Sequence, residues 1–123
     1  MRVKIIYYYL PKCMVCKAFE KRVLIPLYKR GDINLIKIDV SIEPEVKKMR
    51  LPLDLVNHRL HYDVACSKSD AGCVVPAVEI VLKETEDEYE SEFIFTRGDE
   101  NEFEKEVIKA VENISMRMAT VVY

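Results

Sequence analysis

Cys13 and Cys16 stand directly after an apolar run and at the head of a helical pattern, and no other feature constrains the chain so much. The run Val3 to Leu10 (VKIIYYYL) is β-branched and aromatic, which predicts a buried strand, and Pro11 ends it because proline brings no N–H to a ladder. A helix is expected to begin at the cysteines, with Cys13 at its N-cap. There the unsatisfied backbone N–H groups and the positive end of the helix dipole favour thiolate over thiol. Cys16 falls three residues on, on the same helical face, within reach of a mixed disulfide formed on Cys13. These residue types at this spacing point to redox chemistry.

The rest of the chain builds outward from that junction. Phe19, Val23 and Leu27 recur at helical spacing among Lys17, Glu20, Lys21 and Arg22, predicting an amphipathic helix interrupted near Pro26 and ended near Gly31. Ile33 to Val40 (INLIKIDV) alternates as a second strand, and a strand, helix and strand in succession imply a parallel crossover. From Ser41 to Cys73 two helices are expected on either side of Pro52, the first from near Pro44 and the second with Leu53, Val56, Leu60 and Val64 on one face. Val78 to Lys83 and Glu90 to Thr96 read as a hairpin across the acidic connection EDEY. Asp99 is the expected N-cap of a last helix, with Glu102 completing a capping box and Phe103, Val107, Ala110, Val111 and Ile114 as its buried stripe.

Length and charge narrow the function. At 123 residues, half of them hydrophobic, positions 1–123 are expected to form a single domain with one core. Lys plus Arg total 19 against 21 Asp plus Glu, a net of −2 that gives no electrostatic footprint for nucleic acid or an anionic membrane. The N-terminal apolar stretch is too short to span a bilayer, which makes a cytoplasmic protein the expectation. Trp and Gln are absent while Lys, Glu, Ile, Val and Tyr abound, the bias of proteins from very hot environments. Hyperthermophiles tolerate intracellular disulfides, so a disulfide remains compatible with the cytoplasm.

The element order, together with KCMVCK around Cys13 and Cys16 and Val75-Pro76 just before the third strand, resembles the thioredoxin-fold superfamily. In style it is nearest to glutaredoxin-like and small archaeal thioredoxin-like proteins, as from a hyperthermophilic archaeon or one of its genetic elements. The resemblance implies an α/β thioredoxin-like fold with a central mixed four-stranded sheet (β-α-β-α insertion-β-β-α) flanked by helices, the insertion lying at about 44–73. It further implies a thiol–disulfide oxidoreductase with catalytic Cys13 and Cys16 and a substrate edge made by Lys12, Val75 and Pro76, the proline being cis. Partners would be protein disulfides and a reductase as electron donor, and no cofactor beyond the cysteine pair is expected. Three features depart from thioredoxins proper: Lys12 stands where they have Trp, Met14-Val15 replaces their Gly-Pro, and Val3 to Leu10 lacks their buried acid. These departures give the competing expectation, a non-catalytic interaction module with structural disulfides or a four-cysteine zinc site.

Cys66 and Cys73 bracket the turn-rich run SKSDAG and are candidates for a second disulfide, read first as a structural staple and second as a redox pair. His58 and His61 have helical i, i+3 spacing, but solvated histidines are the commoner case, so no role and no metal is assigned to them. The acidic run Glu84 to Glu92 reads as a solvated hairpin.

Overall fold

The first strand, β1 (Val3–Tyr9), organises the molecule because it is buried on both faces. In this computed structural model, which describes residues 2–42, 53–70 and 72–120, β1 runs parallel to β2 (Ile33–Asp39), with Val3 opposite Ile33 and Tyr9 opposite Asp39. On its other side it pairs antiparallel with β3 (Ala77–Glu84), Tyr7 opposite Val78. That strand turns through Thr85–Glu88 into β4 (Tyr89–Phe95), where Thr85 N–H donates to the Glu88 carbonyl at 2.8 Å. The sheet order is therefore β2-β1-β3-β4. The mixed four-stranded sheet flanked by helices that the sequence predicts is present.

Strand alternation splits the core into two clusters. Val3, Ile5, Tyr7, Val78 and Ile80 face one layer of helices, whereas Ile6, Tyr8, Ala77 and Val81 belong to a second cluster on the other face. The first layer holds the helical stretch that starts as α1 (Met14–Phe19) and the last helix, α4 (Glu100–Thr120). Phe19 and Phe103 meet there with ring centroids 4.7 Å apart. The second layer is α3 (Leu53–Lys68), which contributes Tyr62 and Cys66. No helix among the described residues is long and apolar enough to cross a membrane.

The interruption expected near Pro26 takes the form of a π-helical turn over Glu20–Leu24, after which α2 (Ile25–Lys29) resumes with Pro26 in its first positions. The backbone stays helical through Leu24 and Ile25, and the wider π-helical turn accommodates the proline, which has no N–H to give to it. Gly31, at φ 77°, then reverses the chain into β2, its N–H bonded to the Tyr28 carbonyl at 3.0 Å. At the start of α4 the Asp99 carboxylate accepts from the N–H groups of Asn101 and Glu102 at 3.0 and 3.2 Å, as an N-cap should.

One expectation about packing is overturned. Of the apolar residues assigned to the buried face of α3, Val56 is buried but Leu60 and Val64 are 47% and 54% exposed, and the face against the sheet carries His58, Tyr62 and Cys66 instead. The reason is a carboxylate in the opposing strand, Glu79, which needs polar neighbours. The expected helix near Pro44, and Pro52, lie outside the described residues.

Candidate functional site

Leu10, at the end of β1, accepts the Cys13 N–H through its carbonyl at 3.1 Å, which turns the chain sharply from strand into helix. Cys13 takes the N-cap position of α1 with extended backbone (φ −79°, ψ 113°), and its Sγ accepts the backbone N–H of Cys16 at 3.1 Å. Cys13 and Cys16 form a disulfide, their Cα atoms 5.2 Å apart. The two sulfurs are not equivalent. Cys16 is fully buried in the cluster with Phe19 and Tyr7, whereas Cys13 is half-buried beside exposed Lys12, Met14 and Lys17. An incoming group therefore meets Cys13 first, and the N–H aimed at its sulfur would stabilise a thiolate once the bond opens.

Behind the pair stands Tyr7. Its hydroxyl donates to the Cys16 carbonyl at 3.0 Å and lies 3.4 Å from a Glu20 oxygen. Burial and then the Glu20 charge push the phenol well above its ordinary range, so it serves as a fixed donor. Glu20 in turn holds Lys37 at 2.6 Å. The one fully buried carboxylate among the described residues, Glu79, receives Tyr8, whose side chain belongs to the opposite cluster from Cys16. It lies across the sheet from the disulfide and cannot relay a proton to it.

The Val75–Pro76 peptide is cis. Val75 packs against the same cluster as Cys13 and Cys16 and also touches the cluster on the other face. Pro76 is buried, its carbonyl accepting Thr96 Oγ1 at 2.6 Å, which fixes the entry into β3. Among the described residues, the backbone groups of half-buried Val75 make no hydrogen bond.

Cys66 and Cys73 do not form the expected staple. Both are free thiols, Cys66 buried on α3 and Cys73 exposed in the following loop. They remain neighbours: burial, followed by the hydrogen bond with Cys73, pushes the Cys66 thiol up to about 12. Because Cys66 belongs to the cluster on the α3 face and Cys16 to the other, the two cysteine pairs do not converge on one centre.

The expectation of solvated histidines also fails for His58, which is 5% exposed and stands with His61 against Glu79. The reading of the sequence missed Glu79 altogether. Its signal was a charged residue inside VEIVLK, between Val78 and Ile80, in a run otherwise too apolar for an exposed strand.

The chain matches no family model, no curated protein and no solved structure.

Proposed function

We propose that the chain is a cytoplasmic thiol–disulfide oxidoreductase of thioredoxin-like fold. The observation that carries this reading is the asymmetric pair at the head of α1: an accessible sulfur that accepts a helix N–H at 3.1 Å, bonded to a buried one. In the reduced form the Cys13 thiolate attacks one sulfur of a substrate disulfide. The sulfur–sulfur bond of the substrate breaks, one substrate thiolate leaves and takes a proton from water, and a mixed disulfide remains on Cys13. Cys16 then loses its proton to water and attacks the Cys13 sulfur. The second substrate thiolate departs and the Cys13–Cys16 disulfide is restored, so the substrate gains two electrons that a reductase later returns to the pair. The unbonded backbone of Val75 supports an extended substrate pairing beside Pro76, with Lys12 at the rim.

A second reading, a non-catalytic module with a structural Cys13–Cys16 bond, draws on the absence of an acid from β1. Thiol alkylation in buffers of graded potential separates the two. A Cys13–Cys16 couple titrating between about −120 and −270 mV supports the oxidoreductase; a couple that stays oxidised well below about −300 mV supports the module.

A further inference from the structure

Glu79, the third residue of β3, is wholly removed from solvent. Its oxygens are fixed by three hydroxyls: Tyr8 donates to Oε1 at 2.8 Å, and Tyr89 and Ser91 each donate to Oε2 at 2.7 Å. These neutral donors orient the carboxylate but leave its charge uncompensated, which is costly in a protein interior. No Lys or Arg among the described residues pairs with it. The nearest lysine by chain position on the adjoining strand, Lys4, is committed to Glu84 at 2.8 Å.

What faces the carboxylate is a pair of imidazoles. His58 Nδ1 lies 3.9 Å from Oε1 and His61 Nδ1 lies 3.6 Å from Oε2. Both distances exceed the roughly 2.7–2.9 Å of a charge-assisted hydrogen bond. An imidazolium–carboxylate pair therefore does not account for the arrangement. His61 Nδ1 is moreover buried and, among the described residues, has no hydrogen-bond partner. That ring nitrogen stands 3.6 Å from the carboxylate without bonding to it.

We propose that His58, His61 and Glu79 form a binding site for one divalent transition-metal ion of the zinc class. Their ligand atoms all lie within 4.8 Å of one another. Bonds of about 2.1 Å in a tetrahedral site set ligand atoms about 3.4 Å apart; the 3.6 and 3.9 Å separations run to different oxygens of Glu79, and gathering one oxygen and both nitrogens, now within 4.8 Å of one another, calls for side-chain shifts of about 1 Å. Two imidazoles and a carboxylate suit zinc, cobalt, nickel or iron, and the nitrogen donors disfavour magnesium and calcium. The ion's two positive charges would offset the buried carboxylate. Tyr8, Tyr89 and Ser91 would then act as outer-shell partners that hold Glu79 in the ligating orientation. Three protein ligands leave a fourth position, and a shallow groove lined by His61, Ala65, Tyr89, Ser91 and Phe93 gives it access to solvent. The site joins α3 to β3 on the face of the sheet away from Cys16, so it is independent of the thiol chemistry.

The test is titration of the intact chain with Co²⁺ and Zn²⁺, followed by calorimetry, visible absorption and thermal unfolding. The expected result is one ion per chain, visible cobalt bands without the near-ultraviolet charge transfer that thiolate ligands produce, and a rise in Tm of several degrees with saturating zinc. His61 has a side chain 42% exposed, so His61→Ala should fold, as circular dichroism would verify, while losing affinity by more than about 100-fold, beyond what outer-shell changes cause. The proposal is overturned if neither ion binds, if His61→Ala binds as tightly as the parent, or if the cobalt spectrum shows thiolate ligation.

Discussion

The Tyr7 hydroxyl donates to the Cys16 carbonyl oxygen at 3.0 Å, so the centre of the most buried strand is tied directly to the first turn of the helix that carries both cysteines. The bond is made in the core, between a phenol with no exposure and a carbonyl that also accepts from the N–H of Glu20 at the π-helical turn. Tyr7→Phe keeps the ring, and with it the contacts to Tyr9 and Phe19. The expected loss of stability is thus that of one buried hydrogen bond, about 1 kcal/mol, read as a lower urea midpoint at unchanged slope. A loss several times larger would mean that the hydroxyl supports more of the site than this bond.

Exposure separates the roles of the two cysteines. Cys13 is half-buried at the rim and Cys16 has no exposure. Cys13→Ser is expected to abolish disulfide turnover, since a buried Cys16 cannot receive a folded substrate. Cys16→Ser is expected to stall the reaction as a covalent adduct on Cys13, seen as a mass increase that dithiothreitol reverses. Full turnover by Cys16→Ser without an adduct would remove the dithiol mechanism.

Much of this arrangement was legible in the sequence where a single physical signal decided the outcome. The strand-to-helix junction at Cys13, the cap at Asp99 and the stripe Phe103, Val107, Val111 and Ile114 all follow from local pattern, and the parallel β1–β2 pair and the β3–β4 hairpin follow from the crossover and hairpin rules. The face of α3 was not legible because its orientation is decided by a distant charge. Leu60 and Val64 have the spacing of core residues, yet Glu79 brings His58 to the sheet and leaves those two near the surface. Apolar periodicity counts methyl groups and does not register the need of a buried carboxylate for neighbours distant in sequence, here His58 and Tyr8, the latter 71 residues away. The π-helical turn was hidden for a related reason: proline signals that a helix must be interrupted, but not which hydrogen-bond register the interruption adopts.

Gly31 offers a test of local backbone geometry that is free of packing effects. Its φ of 77° lies in the left-handed region, and a Cβ added there would meet only Arg2 Nη2, at 3.9 Å. Gly31→Ala therefore pays for conformation alone, about 1–2 kcal/mol. Gly31→Asn, which tolerates the same region better, should recover part of that loss in the same denaturation series.

The free thiols differ in environment, Cys66 buried and Cys73 exposed, and pH bears on the buried one. Burial, and then the hydrogen bond with Cys73, raises Cys66 from 9.0 to about 12 in the folded chain. The unfolded chain thus gives up this proton at lower pH than the folded chain does. With the folded pKa above the unfolded one, the contribution of this thiol to stability is fully present below pH 9 and is lost as pH rises toward about 12. Cys66→Ala should flatten that part of the stability profile, after allowance for the side chain removed. At pH 8, iodoacetamide is expected to label exposed Cys73 quickly and Cys66 only at the rate of opening, so peptide mass spectrometry should show a single early modification on the reduced α3 face. Equal labelling rates at both sites would mean that Cys66 is not held in the core.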